Sequence, residues 1–312
     1  MNELSTTAFL IAATVKVLTV FGGVMGVVAL TTLIERRVAG FIQDRYGPNR
    51  VGPFGILQPA ADGLKNFMKE ETMPAMAAQP YFLLGPIISL APALVTFAVV
   101  PFAAPLPTPW GVVDMIVADV PIGILYILAL SSLGVYGVVM GGWASNNKFS
   151  FLGGLRASAQ MVSYEVALGL AVVAVLMMAG NVTLTEMVWQ QQQLNFWFAL
   201  PISLAFILFV ISAFAETNRL PFDMPEAESE LVGGFHTEYS GMKYAMYPMG
   251  EYAHMITSSA LMATLFFGGW DIPFWTGDDA FFLNGEWIRG FAADGAPLAA
   301  ELAWWKTALT FG

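Results

Sequence analysis

The sequence predicts an all-α, polytopic transmembrane helix bundle with six full spans, the start of a seventh, an external amino terminus and an acidic cytoplasmic loop between spans five and six. Three observations predict it. Hydrophobic residues make up 57% of the 312 and charged ones only 12%, whereas about a quarter of a soluble domain is charged. Windows of about 20 apolar residues recur between polar or Pro/Gly punctuation. Basic residues gather in alternate connections.

The windows place helices near 9–34, 80–103, 120–143, 160–180, 197–215 and 251–270. The opening MNELSTTAFL has no basic region and no small-residue cleavage site before Lys16, so the first span is expected to remain as an anchor, with Lys16 snorkelling or facing protein. The loop at 35–79 carries Arg36, Arg37, Arg45, Arg50, Lys65 and Lys69, the loop at 144–159 Lys148 and Arg156, and the loop at 216–250 Arg219 and Lys243. Those ten of the thirteen basic residues assign that side to the cytoplasm. On the other side, prolines at 101, 105, 107 and 109 stiffen the exit from span two, and Gly111–Asp119 suits a short interfacial helix. Residues 271–298 read as an external loop or hairpin. With no internal repeat, residues 1–312 form a single membrane domain.

Cysteine is absent and there are two histidines, His236 and His254, so thiolate-held iron–sulfur clusters and disulfides are excluded. Redox chemistry is left to partner subunits, with no metal and no catalytic residue assigned to this chain.

Three polar constellations stand out. At the end of span one, Glu35-Arg36-Arg37 precedes a Gly/Pro-rich turn region and an amphipathic stretch, Leu57–Glu71. Such a stretch suits either anionic lipid or a docking surface and ligand mouth. Within span four stands Glu165, an ionisable group at membrane depth whose proton affinity desolvation should raise, unless water, Tyr164, Ser163 or a basic neighbour such as Arg156 stabilises its charge. Between Ala215 and Tyr252 lie seven acids, Glu216, Asp223, Glu226, Glu228, Glu230, Glu238 and Glu251, opposed by Arg219 and Lys243. Asp223-Met-Pro-Glu226 reads as a helix start, which makes Glu226 and Glu230 i,i+4 neighbours and turns Glu228 away. A solvated loop of this length normally carries more Lys and Arg. Acids facing two directions suit a water-filled funnel and a proton path.

ERRVAGFIQDRYGPNRVGPFGILQPAADGLK, then GGWASNNKFSFLGGLRASAQMVSYE, then AETNRLPFDMPEAESELVGGFHTEYSGMKYAMYPMGEY resemble, in order, signature stretches of the quinone-site membrane subunit of respiratory complex I, the H-type subunit of the bacterial NADH-quinone oxidoreductase. The resemblance runs from span one to span six. It implies a multi-pass subunit of the cell inner (plasma) membrane that builds the quinone access chamber, with quinone (ubiquinone or a relative) as substrate. FMN, NADH and iron–sulfur clusters would lie on partner subunits: peripheral-arm quinone-site and iron–sulfur subunits, small membrane subunits and antiporter-like subunits. Carried over by position, Glu35, Arg36, Arg45, Asp62, Lys65, Arg219 and Asp223 would line the chamber and its junction. Glu226, Glu228 and Glu230 would form an acidic funnel, continued by Glu216, Glu165 and Glu251 as a proton relay toward the membrane arm.

The chain departs from the family pattern in two places. Gly134 stands where some relatives carry an acid, and AAELAWWKTALTFG at the end is too short to cross, so a C-terminally incomplete seventh span is expected. Two other readings compete: the membrane anchor of an energy-converting hydrogenase-type complex, which shares the acidic loop, and a stand-alone ion-coupled transporter, for which carboxylates in helices would serve.

Overall fold

A computed structural model describes residues 6–108, 111–194, 196–270, 280–283, 286–291 and 297–299. Four helices in it are long and apolar enough to cross a membrane: Phe9–Ile42 within α1 (Thr6–Ile42), α3 (Gln79–Thr96) with its 3₁₀ extension to Val99, α4 (Gly123–Ala144) and α5 (Lys148–Ala179). Helix α2 (Gln58–Met68) lies between the first two, and α6 (Leu184–Leu194) follows the fourth. Helix α7 (Ser203–Glu216) is apolar but shorter, α8 (Glu228–Leu231) is a single turn, and α9 (Gly241–Phe266) carries Lys243, Glu251 and His254 among its apolar residues.

The expected spans thus recur as helices with shifted ends. The largest shift is in span four, because α5 begins at Lys148 and absorbs most of the segment expected as a loop at 144–159. Asn147 caps it, its side-chain oxygen accepting from Phe149 N at 2.9 Å, and this cap outweighs the polar composition of the first turns. Span six likewise starts a full ten residues early, at Gly241. The short helix expected over Gly111–Asp119 is absent. Instead β1 (Leu106–Thr108) and β2 (Gly111–Val113) form an antiparallel hairpin, where Pro107 has no amide to give a helix and Val112 and Val113 favour extended backbone. Strands β3 (Ala280–Leu283), β4 (Glu286–Phe291) and β5 (Pro297–Ala299) make an antiparallel sheet, so the helical bundle carries two small β appendages. The expected start of a seventh span, together with Asp271, Asp278, Asp279 and Asp294, lies outside the described residues.

Packing gathers the helices around three apolar clusters. The largest joins Ile124 and Ile127 of α4, Val172 and Val175 of α5, Met187 of α6, Phe209 of α7 and Leu265 and Phe266 of α9. A second stacks Phe82 on Tyr239, ring centroids 4.0 Å apart, beside Tyr247 and Phe235. The third sets Val24 and Val28 of α1 against Ala93, Tyr252 and Ala253. Lipid tails are as apolar as leucine, so helix association in a membrane depends on close contact. Between α3 and α4 that contact is made by glycine: a Cβ on Gly137 would stand 2.6 Å from Ser89 N and 2.8 Å from Gly85 O. Helix α9 then completes this layer with Tyr247 laid over Gly141.

Gly137→Val is therefore expected to separate α3 from α4 and cost about 1–3 kcal/mol of packing. Thermal unfolding in detergent checks it, and a melting temperature equal to wild type would refute the close-packing account.

Candidate functional site

Several of the polar residues singled out by the sequence meet where α1, α5 and α9 pack against the connection from Thr217 to Ser240. Glu35 ends the long apolar stretch of α1. Its carboxylate accepts from Arg219 Nη1 at 3.2 and 3.3 Å and from the Tyr252 hydroxyl at 2.6 Å. The Arg219 guanidinium also lies 4.2 Å over the Tyr252 ring, so charge pairing and a cation–π contact act on one group. Three distant parts of the chain are tied by this node.

A second node joins α1 to α2: Arg36 Nη1 meets Asp62 Oδ2 at 2.5 Å, and Gln58 Nε2 donates to Asp62 Oδ1 at 3.0 Å. Pro at the start of α2 pre-sets its first turn, while Leu64, Phe67 and Met68 remain exposed on a helix with no buried residue. Arg45 stands apart from both nodes; its Nε donates to Gln43 at 2.7 Å, and Lys65 is exposed.

The acidic segment differs from its sequence reading. No helix begins at Asp223. The backbone turns from Met224 to Glu226, and α8 starts only at Glu228. Gly234 explains the difference: it sits at φ +64°, and a Cβ there would collide with the Pro225 carbonyl oxygen, so the segment folds back on itself instead of winding. Glu226 and Glu230 are consequently not one-turn neighbours. Glu230 pairs with Arg156 of α5 at 2.6 Å. Glu226 turns inward, meeting Glu251 of α9 and lying 3.5 Å from His236 Nδ1. Glu228 remains exposed.

Burial, followed by the charge of Asp223, pushes the Glu226 carboxyl up to about 7, and burial pushes His236 down to about 4. At neutral pH the histidine is therefore uncharged, and its contact with Glu226 is no salt bridge. Asp223 is raised as well, first by burial and then by Glu228, with Arg219 pulling the other way.

Deeper in the bundle, Glu216 closes α7 and meets Ser131 of α4. Glu165 of α5 is near enough to act on Glu216 electrostatically. The supports expected for Glu165 are engaged elsewhere. Ser163 donates to Ala159 O, Tyr164 packs edge-on to Phe222, and Arg156 holds Glu230. A cavity beside these groups is lined by Glu216, Glu251, His254, Asn218 and Tyr247. Among the described residues no group of three or more His, Asp or Glu side chains is arranged to hold a metal.

Gln160 was not singled out from sequence. Buried on α5, its Nε2 lies 2.9 Å from Ala215 O, 2.9 Å from Phe222 O and 3.2 Å from Asn218 Oδ1, which pins the connection below Glu216. Its sequence signal is a glutamine on an apolar helix face, which by itself reads as a surface position. Gln191 of α6 works in the same way, donating to Thr264 O at 3.0 Å and accepting from Phe198 N at 3.2 Å.

Comparison with known proteins gives a family. The family model described as NADH dehydrogenase matches residues 15–309. The first H-type subunit of NADH-quinone oxidoreductase from Cytophaga hutchinsonii is 49% identical over 266 residues, covering 85% of this chain and 78% of the relative. The second H-type subunit of the same enzyme from Geobacter metallireducens is 48% identical over 301 residues, covering 90% and 87%. NADH-ubiquinone oxidoreductase chain 1 of Chondrus crispus is 50% identical over 266 residues, covering 85% and 78%.

Two outcomes are expected from this geometry. Gln160→Leu removes the amide donor that reaches Ala215 O, Phe222 O and Asn218 Oδ1, at a cost of about 1–3 kcal/mol, and hydrogen exchange should speed up across residues 215–222; unchanged protection there would contradict the pinning role. Glu226 binds a proton more tightly folded than unfolded, so its contribution to stability is full below its ordinary value near 4.5 and is lost as pH rises through about 7. Infrared titration should then lose a protonated-carboxyl band near pH 7, and the band should be absent in Glu226→Gln; a band unaltered by that substitution would exclude the assignment.

Proposed function

The chain belongs to the NADH dehydrogenase family that includes the H-type subunits of NADH-quinone oxidoreductase and is thus a membrane subunit of such an enzyme complex, and we propose that within it the chain builds the quinone access chamber and the acidic relay that couples quinone reduction to proton translocation. The observation that carries this reading is the succession of polar groups near enough to act on one another from Glu35 inward. Glu35 and Arg219 lead to Asp223 and Glu226; Glu226 meets Glu251; and Glu251 shares a cavity wall with Glu216, which Glu165 approaches from α5.

In this reading quinone enters between α1 and α2, where the exposed apolar face of α2 lies beside Arg36 and Asp62. Lys65 and Arg45 face the junction with peripheral-arm subunits. Glu228 and Glu230 form the outer funnel. Reduction of the quinone consumes protons and changes the charge in the chamber, and coupled carboxyls pass that change laterally as altered proton affinities and water order. A Glu226 carboxyl raised to about 7 holds its proton loosely at working pH, which suits it to answer such a change. FMN and iron–sulfur clusters held by partner subunits would supply the electrons from NADH, and antiporter-like subunits would receive the relayed charge.

Six spans, with the amino terminus outside and the acidic connection in the cytoplasm of a cell with its complex in the plasma membrane, complete the proposal. The basic residues at 36, 37, 45 and 50 and the Arg156–Glu230 pair support that orientation by standing at one end of the bundle. Relatives named as NADH-quinone oxidoreductases support the respiratory form over a hydrogenase-type complex or a lone transporter.

Glu216→Gln and Glu228→Gln, each in the assembled complex, are expected to lower both quinone reduction and proton pumping while NADH oxidation by ferricyanide continues at the wild-type rate. The size expected for removing a group that moves protons in the rate-limiting path is about 10²-fold or more. Wild-type quinone reduction and pumping in both variants would remove the basis for the relay.

A further inference from the structure

Between Glu251 and Glu216 stands a residue to which the relay assigns no role. His254 lies one turn beyond Glu251 on α9, and its Nε2 is shut off from solvent without a hydrogen-bond partner. A buried imidazole nitrogen left unpaired is disfavoured unless water reaches it. Two small cavities supply the place. The first is bounded by Glu251, Glu216, His254 and Asn218, the second by Glu216, His254, Ser131 and Thr257. Each has about 20 Å³ open to a water centre, enough for one molecule with polar partners on its walls. Gly134 keeps the nitrogen facing this space: a Cβ at that position would stand 3.3 Å from Nε2. The fully buried hydroxyl of Tyr247 borders the first cavity as well, and its neighbour Tyr239 already donates to Phe82 O at 3.0 Å.

We propose that His254 is a proton-carrying residue of this chain, its Nε2 joined through water in the two cavities to Glu251 on one side and Glu216 on the other. The proposal rests on the reading that those two carboxyls belong to one relay. A proton leaving the Glu251 carboxyl passes through water to Nε2, and the imidazolium releases one to the water beside the Glu216 carboxylate. The ring returns to its neutral form, and no co-reactant is consumed. The titratable groups on the cavity walls beside His254 are therefore Glu251 and Tyr247 on its own helix and Glu216 at the end of α7, with Ser131 of α4 and Asn218 as neutral hydrogen-bonding walls.

The test uses the whole complex in membrane vesicles, with His254→Asn and His254→Gln, both polar and small enough for the site. Quinone reduction by NADH, proton uptake, ferricyanide reduction, subunit content and the solvent deuterium isotope effect are measured together. Quinone reduction is expected to slow about 10²-fold with an enlarged isotope effect, as for loss of a proton-transferring group, while ferricyanide reduction and subunit content stay at wild type. A wild-type rate, a slowed rate with an unchanged isotope effect, or failure of both variants to assemble would each overturn the proposal, the last two by making His254 a packing residue. Glu216→Gln measured in parallel separates the layers. If it is impaired while both His254 variants run normally, this inference alone fails; if it too is normal, the relay fails and the role of His254 with it.

Discussion

Arg219 is the cation around which the acidic connection is arranged. It bonds the Glu35 carboxylate, lies over the Tyr252 ring and acts electrostatically on Asp223, Glu226 and Glu251. One guanidinium among four carboxyls cannot neutralise them all. In a partly desolvated setting the remaining acids lower their energy by binding protons, because each unpaired charge is costly there. Burial raises the proton affinity of Glu226 first and the charge of Asp223 adds to it, and the neighbouring basic residues do not relieve this: Arg156 is engaged by Glu230, Lys243 by Glu71 and Arg36 by Asp62.

The shortage is useful only if the acids are held at fixed distances. Two kinds of contact hold them. Gln160 reaches across from α5 to the backbone at Ala215 and Phe222 and so fixes the connection on either side of Arg219. The glycines of α3 and α4 bring their backbones together, and α9 lies on that layer with Pro248 one turn before Glu251, where it deprives the Tyr244 carbonyl of its helical donor. Thr72 and Ser240, bonded at 2.8 and 2.9 Å, anchor the start of α9 to the segment after α2. The Arg36–Asp62 pair and Glu251 of α9 therefore belong to one supported assembly, which the proposed relay requires of groups that share no covalent path.

Family membership and physical reading meet at the same residues but carry different weight. Membership gives the complex to which the chain belongs. The relay proposed for its acids is what the family resemblance implies, and geometry adds which carboxyls touch, which are paired off, and where water has room. Glu230 illustrates the distinction, since its pairing with Arg156 at the surface gives it an anchoring contact as well as a place in the proposed funnel.

Sequence alone determined the membrane bundle, because a run of about 20 apolar residues has one low-energy use in a bilayer and needs no tertiary partner to declare itself. It also determined the acidic stretch from Glu216 to Glu251 and the basic turn region after Glu35, since charge among apolar residues is visible without coordinates. Tertiary structure decided the rest. The start of α5 depended on an Asn147 cap, the extended segments 106–108 and 111–113 on strand pairing, and the fold-back at Asp223–Gly234 on a glycine pressed against Pro225. Helical spacing joined Glu226 to Glu230, yet packing gave the first to Glu251 and the second to Arg156. Gln160 and His254 were legible as polar residues on apolar helices, but their partners lie tens of residues away or in water-sized gaps. Local pattern reports where a residue is on its own helix, and only packing between helices decides what it faces.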